Sequence, residues 1–165
     1  MTTAPDVLRA MFAHHVWAST RLIDALEQLD PVQLDARIDG TYGSTIQTLT
    51  HLVDSDERYL QRLVTPTLAS IGDGGTRPLA DLRTEILEHG DRWAGMLDAV
   101  DRGELHAAVV GKSDYPDTDP AETMLLVQAI QHGNDHRTQI CSTLGASGLD
   151  VPDLDGWQYW ASERR

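Results

Sequence analysis

The chain has 165 residues, 41% of them hydrophobic and 24% charged, which is the make-up of an ordinary globular protein long enough to bury its own core. Lys and Arg total 13 against 26 Asp and Glu, a formal net charge of -13; a surface that acidic repels nucleic-acid phosphates and anionic lipid head groups, so neither nucleic acid nor membrane is an expected partner. The single cysteine, Cys141, excludes an intramolecular disulfide framework, and with no signal-like segment at the N-terminus and no apolar run able to span a bilayer the expected location is the cytoplasm.

Helical periodicity dominates the chain. Leu8, Met11, Phe12, His15, Ala18, Leu22, Leu26 and Leu29 recur at three- and four-residue steps. They predict a first helix from about Thr3 to Leu29, capped by Thr3, with Pro5 and Asp6 in its first turn and Asp30-Pro31 as its stop. Residues 31–43 read as a loop. Ser44-Thr45-Ile46-Gln47 is a capping box and opens a second helix running to about Val64, with Ile46, Leu49, Val53 and Leu60 on one face. Residues 65–77 form the longest connection, suited to crossing a bundle rather than closing a tight hairpin. A third helix follows from near Pro78 to about Val100. Residues 103–118 are irregular. Asp119-Pro120-Ala121-Glu122 is a helix start, and the fourth helix is expected to reach Leu144, with Gly145 just past its C-cap. The tail ends in Trp157-Gln158-Tyr159-Trp160, a short fifth helix that either caps the fold or builds a dimer contact; a homodimer is the expectation adopted. With no internal repeat and no domain boundary, the pattern predicts one all-α domain over residues 1–165, a four-helix bundle.

The chemistry concentrates in His132-Gly133-Asn134-Asp135-His136. On a helix, residues four apart share a face, and two imidazoles so placed can hold one metal ion. Both fall beside Leu125, Ala129 and Ile140 and so point toward the helix interface, with Gly133 leaving room nearby. Two surface or capping histidines would give the same spacing. The motif is not that of zincins, which need Glu directly after the first His. A third ligand must come from elsewhere. His51 is the first candidate, followed by His14 and His15; His89 and His106 look peripheral. Periodicity alone places His51 away from the apolar stripe of its helix and His15 in the middle of its own, where a hydrogen-bonded core histidine is the simpler reading.

The segment Thr48-Leu49-Thr50-His51-Leu52-Val53-Asp54-Ser55-Asp56, together with His132 to Ile140, resembles the DinB-like metalloproteins. Trp17-Ala18-Ser19, where that family often has Trp-Ala-Asn, and Pro152-Asp153-Leu154-Asp155 before an aromatic segment extend the resemblance over the whole chain. It implies a four-helix bundle with up-down-down-up connectivity and one divalent metal ion, zinc or nickel, held by His51, His132 and His136. It also implies a metal-dependent enzyme, such as a transferase using a low-molecular-weight thiol on a small electrophile. Ser19 and His15 depart from the family's usual residues, and His15 would add an imidazole near the pocket.

His15, Asp54 and Arg137 are the candidate pocket or supporting residues, with Asp56, Glu57 and Asp135 as further acid/base or supporting carboxylates; in so acidic a chain each of these four carboxylates reads first as a solvated helix side chain. Arg137 can meet an anionic substrate or pair with one of the many carboxylates. Cys141 reads as a small buried hydrophobe. The catalytic residue is open. Two other functions remain beside the enzyme: a stress-related metal- or ligand-binding protein without turnover, and a plain helical interaction module whose histidines are incidental.

Overall fold

The structure, a computed structural model, describes residues 3–64, 75–104 and 122–164. Those residues form six helices and no strand: α1 (Ala4–Leu26), α2 (Pro31–Leu34), α3 (Thr45–Val64), α4 (Leu79–Asp101), α5 (Glu122–Ala146) and α6 (Gly156–Ser162). None of the described helices is long and apolar enough to cross a membrane. The expected cap at Asp119, the irregular segment beyond residue 104 and most of the 65–77 connection lie outside the described residues.

Local chemistry accounts for the helix ends. Thr3 accepts the Asp6 N–H while the Asp6 carboxylate takes the Thr3 N–H at 2.8 Å, so two of the orphan donors at the start of α1 are met reciprocally. The Ser44–Gln47 box forms as expected, with Ser44 N–H on Gln47 Oε1 at 3.0 Å. Asp30 starts a helix rather than merely stopping one: its carboxylate accepts the N–H groups of Val32 and Gln33, both at 2.9 Å. The first long helix therefore ends at Leu26, and the one-turn α2 occupies part of the expected loop. Gly145 does not end α5. The helix continues to Ala146, and the chain turns at Gly148 with φ of 70°, a left-handed conformation that glycine adopts without a steric penalty.

α1 packs against α4 and α5, α3 packs against the same two helices, and α6 docks on α1. The apolar side chains divide into two clusters. One contains Phe12 of α1, Leu60 and Leu63 of α3, Trp93, Met96 and Leu97 of α4, and Leu125, Leu126, Ala129 and Ile130 of α5. The other contains Leu22 and Leu26 of α1, Leu49, Leu52 and Val53 of α3, Leu82 and Ile86 of α4, and Ile140 and Leu144 of α5. Between them, on every long helix, the sequence switches to polar residues that are buried all the same: His15 and Ser19 on α1, Ser55 and Asp56 on α3, His89 on α4, His136 and Arg137 on α5. Burying a polar group costs free energy unless it is bonded, so this middle layer must find its partners among its own members.

Candidate metal centre

Three imidazoles meet where α3 faces α5. His132 Nε2 lies 3.1 Å from His51 Nε2 and 3.0 Å from His136 Nε2, and one ligand atom from each of the three falls within 4.8 Å of the others. The i, i+4 spacing on α5 brings the His132 and His136 rings to 4.2 Å between centroids. His51 is half-buried rather than solvent-facing, because α5 covers the flank of α3 that periodicity leaves off the apolar stripe. Tyr42, in the connection before α3, stacks on His51 at 3.9 Å and meets His136 edge-on. Tyr59, two turns beyond His51, meets His132 edge-on. Gln139 ties the loop to the site: its Oε1 accepts the Tyr42 N–H at 2.9 Å and lies 3.3 Å from His136 Nδ1.

Protons alone do not satisfy this arrangement. A ring nitrogen has one in-plane bonding direction, used either by an N–H or by a lone pair. His132 Nε2 has two neighbours of the same kind, so at most one can be a good hydrogen-bond partner. Its other nitrogen, Nδ1, is buried with no hydrogen-bond partner among the described residues. Burial holds all three rings neutral, lowering the pKa of His51 and of His132 to about 4 and that of His136 below its ordinary value. Mutual repulsion with the neighbouring imidazoles adds to the effect at His51 and His132. Neutral imidazole is the form that binds metal. Nitrogens bonded at about 2.0–2.1 Å to one tetrahedral ion sit roughly 3.3 Å apart, close to the two short separations here. The three side chains can hold one metal ion.

The supporting residues divide differently from the sequence reading. His15 is buried and has the carboxylate partner expected of a core imidazole: its Nε2 is 2.7 Å from Asp56 Oδ2. Asp56 is therefore not a solvated carboxylate, since it is fully buried. Arg137 is buried as well, and among the described residues it pairs with no carboxylate. Its Nη1 donates to Ser19 Oγ at 2.9 Å and to the His15 carbonyl at 3.3 Å, and its Nη2 donates to Asn134 Oδ1 at 2.6 Å. Ser19, in turn, donates to the His15 carbonyl at 2.9 Å. Gly133 makes this possible. A Cβ there would lie 2.3 Å from His15 Cε1, so only glycine lets the imidazole of α1 rest on α5.

Asp54 is engaged elsewhere, accepting from Arg77 Nη1 at 3.0 Å beside Glu85. Glu57 binds Arg92 and His89, which is buried rather than peripheral and sits 3.0 Å from the Glu57 carboxylate. Asp135 is exposed. His14 reaches the Leu154 carbonyl at 2.8 Å and, with Trp17 and Tyr159, seats α6 on α1. His106 lies outside the described residues. Cys141 is partly buried against the second apolar cluster, and burial raises its thiol pKa, which suits packing better than nucleophilic chemistry. Tyr42 is the contact that sequence reasoning missed. An aromatic residue in a short loop carries no periodic signal, and only the closeness of Thr41-Tyr42-Gly43 to the Ser44 cap places it near His51.

No curated protein and no solved structure matches the chain. The family model described as the DinB family matches residues 1–165, the whole chain, and on that match the chain belongs to the DinB family.

Proposed function

We propose that the chain is a metal-dependent DinB enzyme in which His51, His132 and His136 together hold one divalent ion, zinc or nickel, and that its reaction joins a low-molecular-weight thiol to a small electrophile. The observation that carries the reading is the convergence of three neutral Nε2 atoms whose mutual separations no set of protons can satisfy. Three protein ligands leave coordination positions free, and an ion bound this way lowers the pKa of a bound water or thiol. The chain's own residues supply the surroundings: Tyr42 and Tyr59 cover the ring edges with apolar surface, and Gln139 fixes the loop that carries Tyr42.

The accompanying fold proposal is a single four-helix bundle with up-down-down-up connectivity. Its support is the order in which each long helix meets the two apolar clusters. α1 and α5 run from the Phe12 cluster to the Leu22 cluster, whereas α3 and α4 run the other way. On this reading α3 and α4 are parallel neighbours.

Metal analysis of protein purified without a histidine tag tests the centre, and turnover with the loaded protein, a thiol and an electrophile tests the reaction. Bound metal without turnover across thiol classes favours a non-catalytic metal- or ligand-binding protein. Metal-free protein that takes up no added ion overturns the reading and leaves the helical interaction module. The proposal extends to a cytoplasmic homodimer, supported by Trp157 and Trp160 standing 78% and 52% exposed on α6; a monomeric mass by light scattering at micromolar concentration overturns the dimer.

A further inference from the structure

Three buried polar atoms in the middle layer have no hydrogen-bond partner among the described residues: His89 Nδ1 on α4, His132 Nδ1 on α5 and Asp56 Oδ1 on α3. The last two belong to helices that pack directly against each other. His51 and Tyr59, eight residues apart on α3, both contact the His132 ring, and Asp56 lies on the turns between them. Asp56 is near enough to His132 for its charge to act on the ring. The second carboxylate oxygen, Oδ2, is committed to His15 Nε2 at 2.7 Å, and Arg137 holds the far side of His15 through its carbonyl and Ser19. The Asp56 carboxylate is thereby fixed on one side and open on the other.

A metal-ligating imidazole must lose the Nε2 proton and carry its hydrogen on Nδ1, and that N–H needs an acceptor when it is buried. An unsatisfied buried donor is costly, so a ligand histidine without an acceptor binds its ion more weakly. We propose that Asp56 is the positioning residue of the metal centre: its free Oδ1 accepts the Nδ1–H of His132 while Oδ2 remains on His15, fixing the tautomer that turns the His132 Nε2 lone pair toward the ion. Gly133 and His15 belong to the same device. The missing side chain at Gly133 admits His15, and His15 holds the carboxylate that serves His132. The inference rests on the three-histidine reading and adds to it a residue outside the ligand set.

The test uses full-length protein labelled with 15N at histidine and loaded with zinc. In the wild type, long-range 1H–15N correlation should find His132 protonated on Nδ1, with a proton shifted downfield and protected from exchange. Asp56→Ala should lose that protected proton and weaken zinc binding roughly 10–100-fold in chelator competition, the usual cost of removing a ligand's outer hydrogen-bond partner. Asp56→Asn keeps an oxygen acceptor and should recover part of the loss, whereas Asp54→Asn, whose carboxylate is bound to Arg77 instead, should bind zinc as the wild type does. An Asp56→Ala protein with wild-type zinc affinity overturns the proposal. If that variant does not fold, the wild-type spectrum decides, because a His132 Nδ1 proton that exchanges freely, or a proton on Nε2 in the zinc-loaded protein, overturns it without any substitution. Zinc held by all three histidines with an unaffected Asp56 variant removes this inference alone; a wild type that binds no zinc removes the metal reading and this inference with it.

Discussion

The two sides of α5 solve the burial of polar groups in opposite ways. Toward α1, Arg137 and Asn134 join His15, Ser19 and Asp56 in hydrogen bonds of 2.6–3.3 Å that satisfy the guanidinium and close around Gly133. Toward α3, His132 and His136 meet His51 with nitrogens too many for the available protons, and His132 Nδ1 is left over. Folding alone rewards the first arrangement, since bonded buried groups rigidify a core. It penalises the second, so the second makes sense as a site completed by something the chain does not contain. The difference separates a structural network from a ligand-seeking one within a single helix, less than two turns apart.

Substitutions that exchange ligands for apolar residues should break this comparison most sharply. Replacing any of His51, His132 or His136 by Ala should weaken metal binding by more than the roughly 10–100-fold lost with an outer partner, because two imidazoles compete poorly with solvent and chelators. His132→Leu should also leave the melting temperature of the metal-free protein undiminished, since it removes a desolvated, incompletely bonded ring. Stoichiometric metal at wild-type affinity in His51→Ala would remove His51 from the ligand set and make His15 the next candidate.

The same operation on the other side of α5 should be costly without metal. Arg137→Met strips donors from Ser19, Asn134 and the His15 carbonyl and leaves the Asp56–His15 pair without its nearby cation, a loss of about 3 kcal/mol in chemical denaturation. Gly133→Ala should cost about 1–3 kcal/mol through overpacking against His15. An Arg137→Met protein as stable as the wild type would mean that the network carries no stability and that the contrast between the two sides is only geometric.

Acid provides a gentler probe. His51 and His132 stay neutral in the fold down to about pH 4, whereas in the unfolded chain they take up protons near pH 6.5. Between those values the unfolded state binds more protons than the native one, so the stability of the metal-free protein should fall as pH drops from about 6.5 toward 4. Bound metal should be released over the same range. Denaturation midpoints of chelator-treated protein across this window check the sign, and a double His51→Gln, His132→Gln variant should flatten the slope.

The sequence made the helices legible because their apolar periods and caps are local. Thr3, Ser44 and Gln47 act where their spacing places them, and the two shorter errors, at Asp30 and Gly145, concern where a helix resumes or stops. The histidine pair on α5 was legible for the same reason, since i, i+4 fixes both rings on one face. His51 was the first candidate for a third ligand, but the family resemblance had to override its position, because its own helix places it off the stripe and only the packing of α5 brings it inward. Asp56 and Arg137 were offered as candidates, but their burial was not legible. Nothing in an acidic chain distinguishes a buried carboxylate from its solvated neighbours, and the signal that does so, the missing side chain of Gly133, matters only once His15 is known to lie on it.

Asp54 and Asp56, two residues apart on α3, bring the comparison down to its smallest effect. The sequence offers both as supporting carboxylates, yet helix geometry turns them about 200° from each other. Asp56 goes to the buried layer, and Asp54 goes to Arg77, whose guanidinium also binds Glu85. The Asp54–Arg77 pair is partly exposed, with side chains 14% and 31% accessible, so solvent screens it, and Glu85 still holds Arg77 when Asp54 is neutralised. Asp54→Asn should therefore cost at most about 1 kcal/mol and leave metal affinity unchanged, whereas Asp56→Asn should weaken it. Parallel chelator competition and denaturation on the two variants decide the matter. A metal defect in Asp54→Asn equal to that of Asp56→Asn would mean that the site responds to the charge of α3 as a whole rather than to one carboxylate oriented at His132.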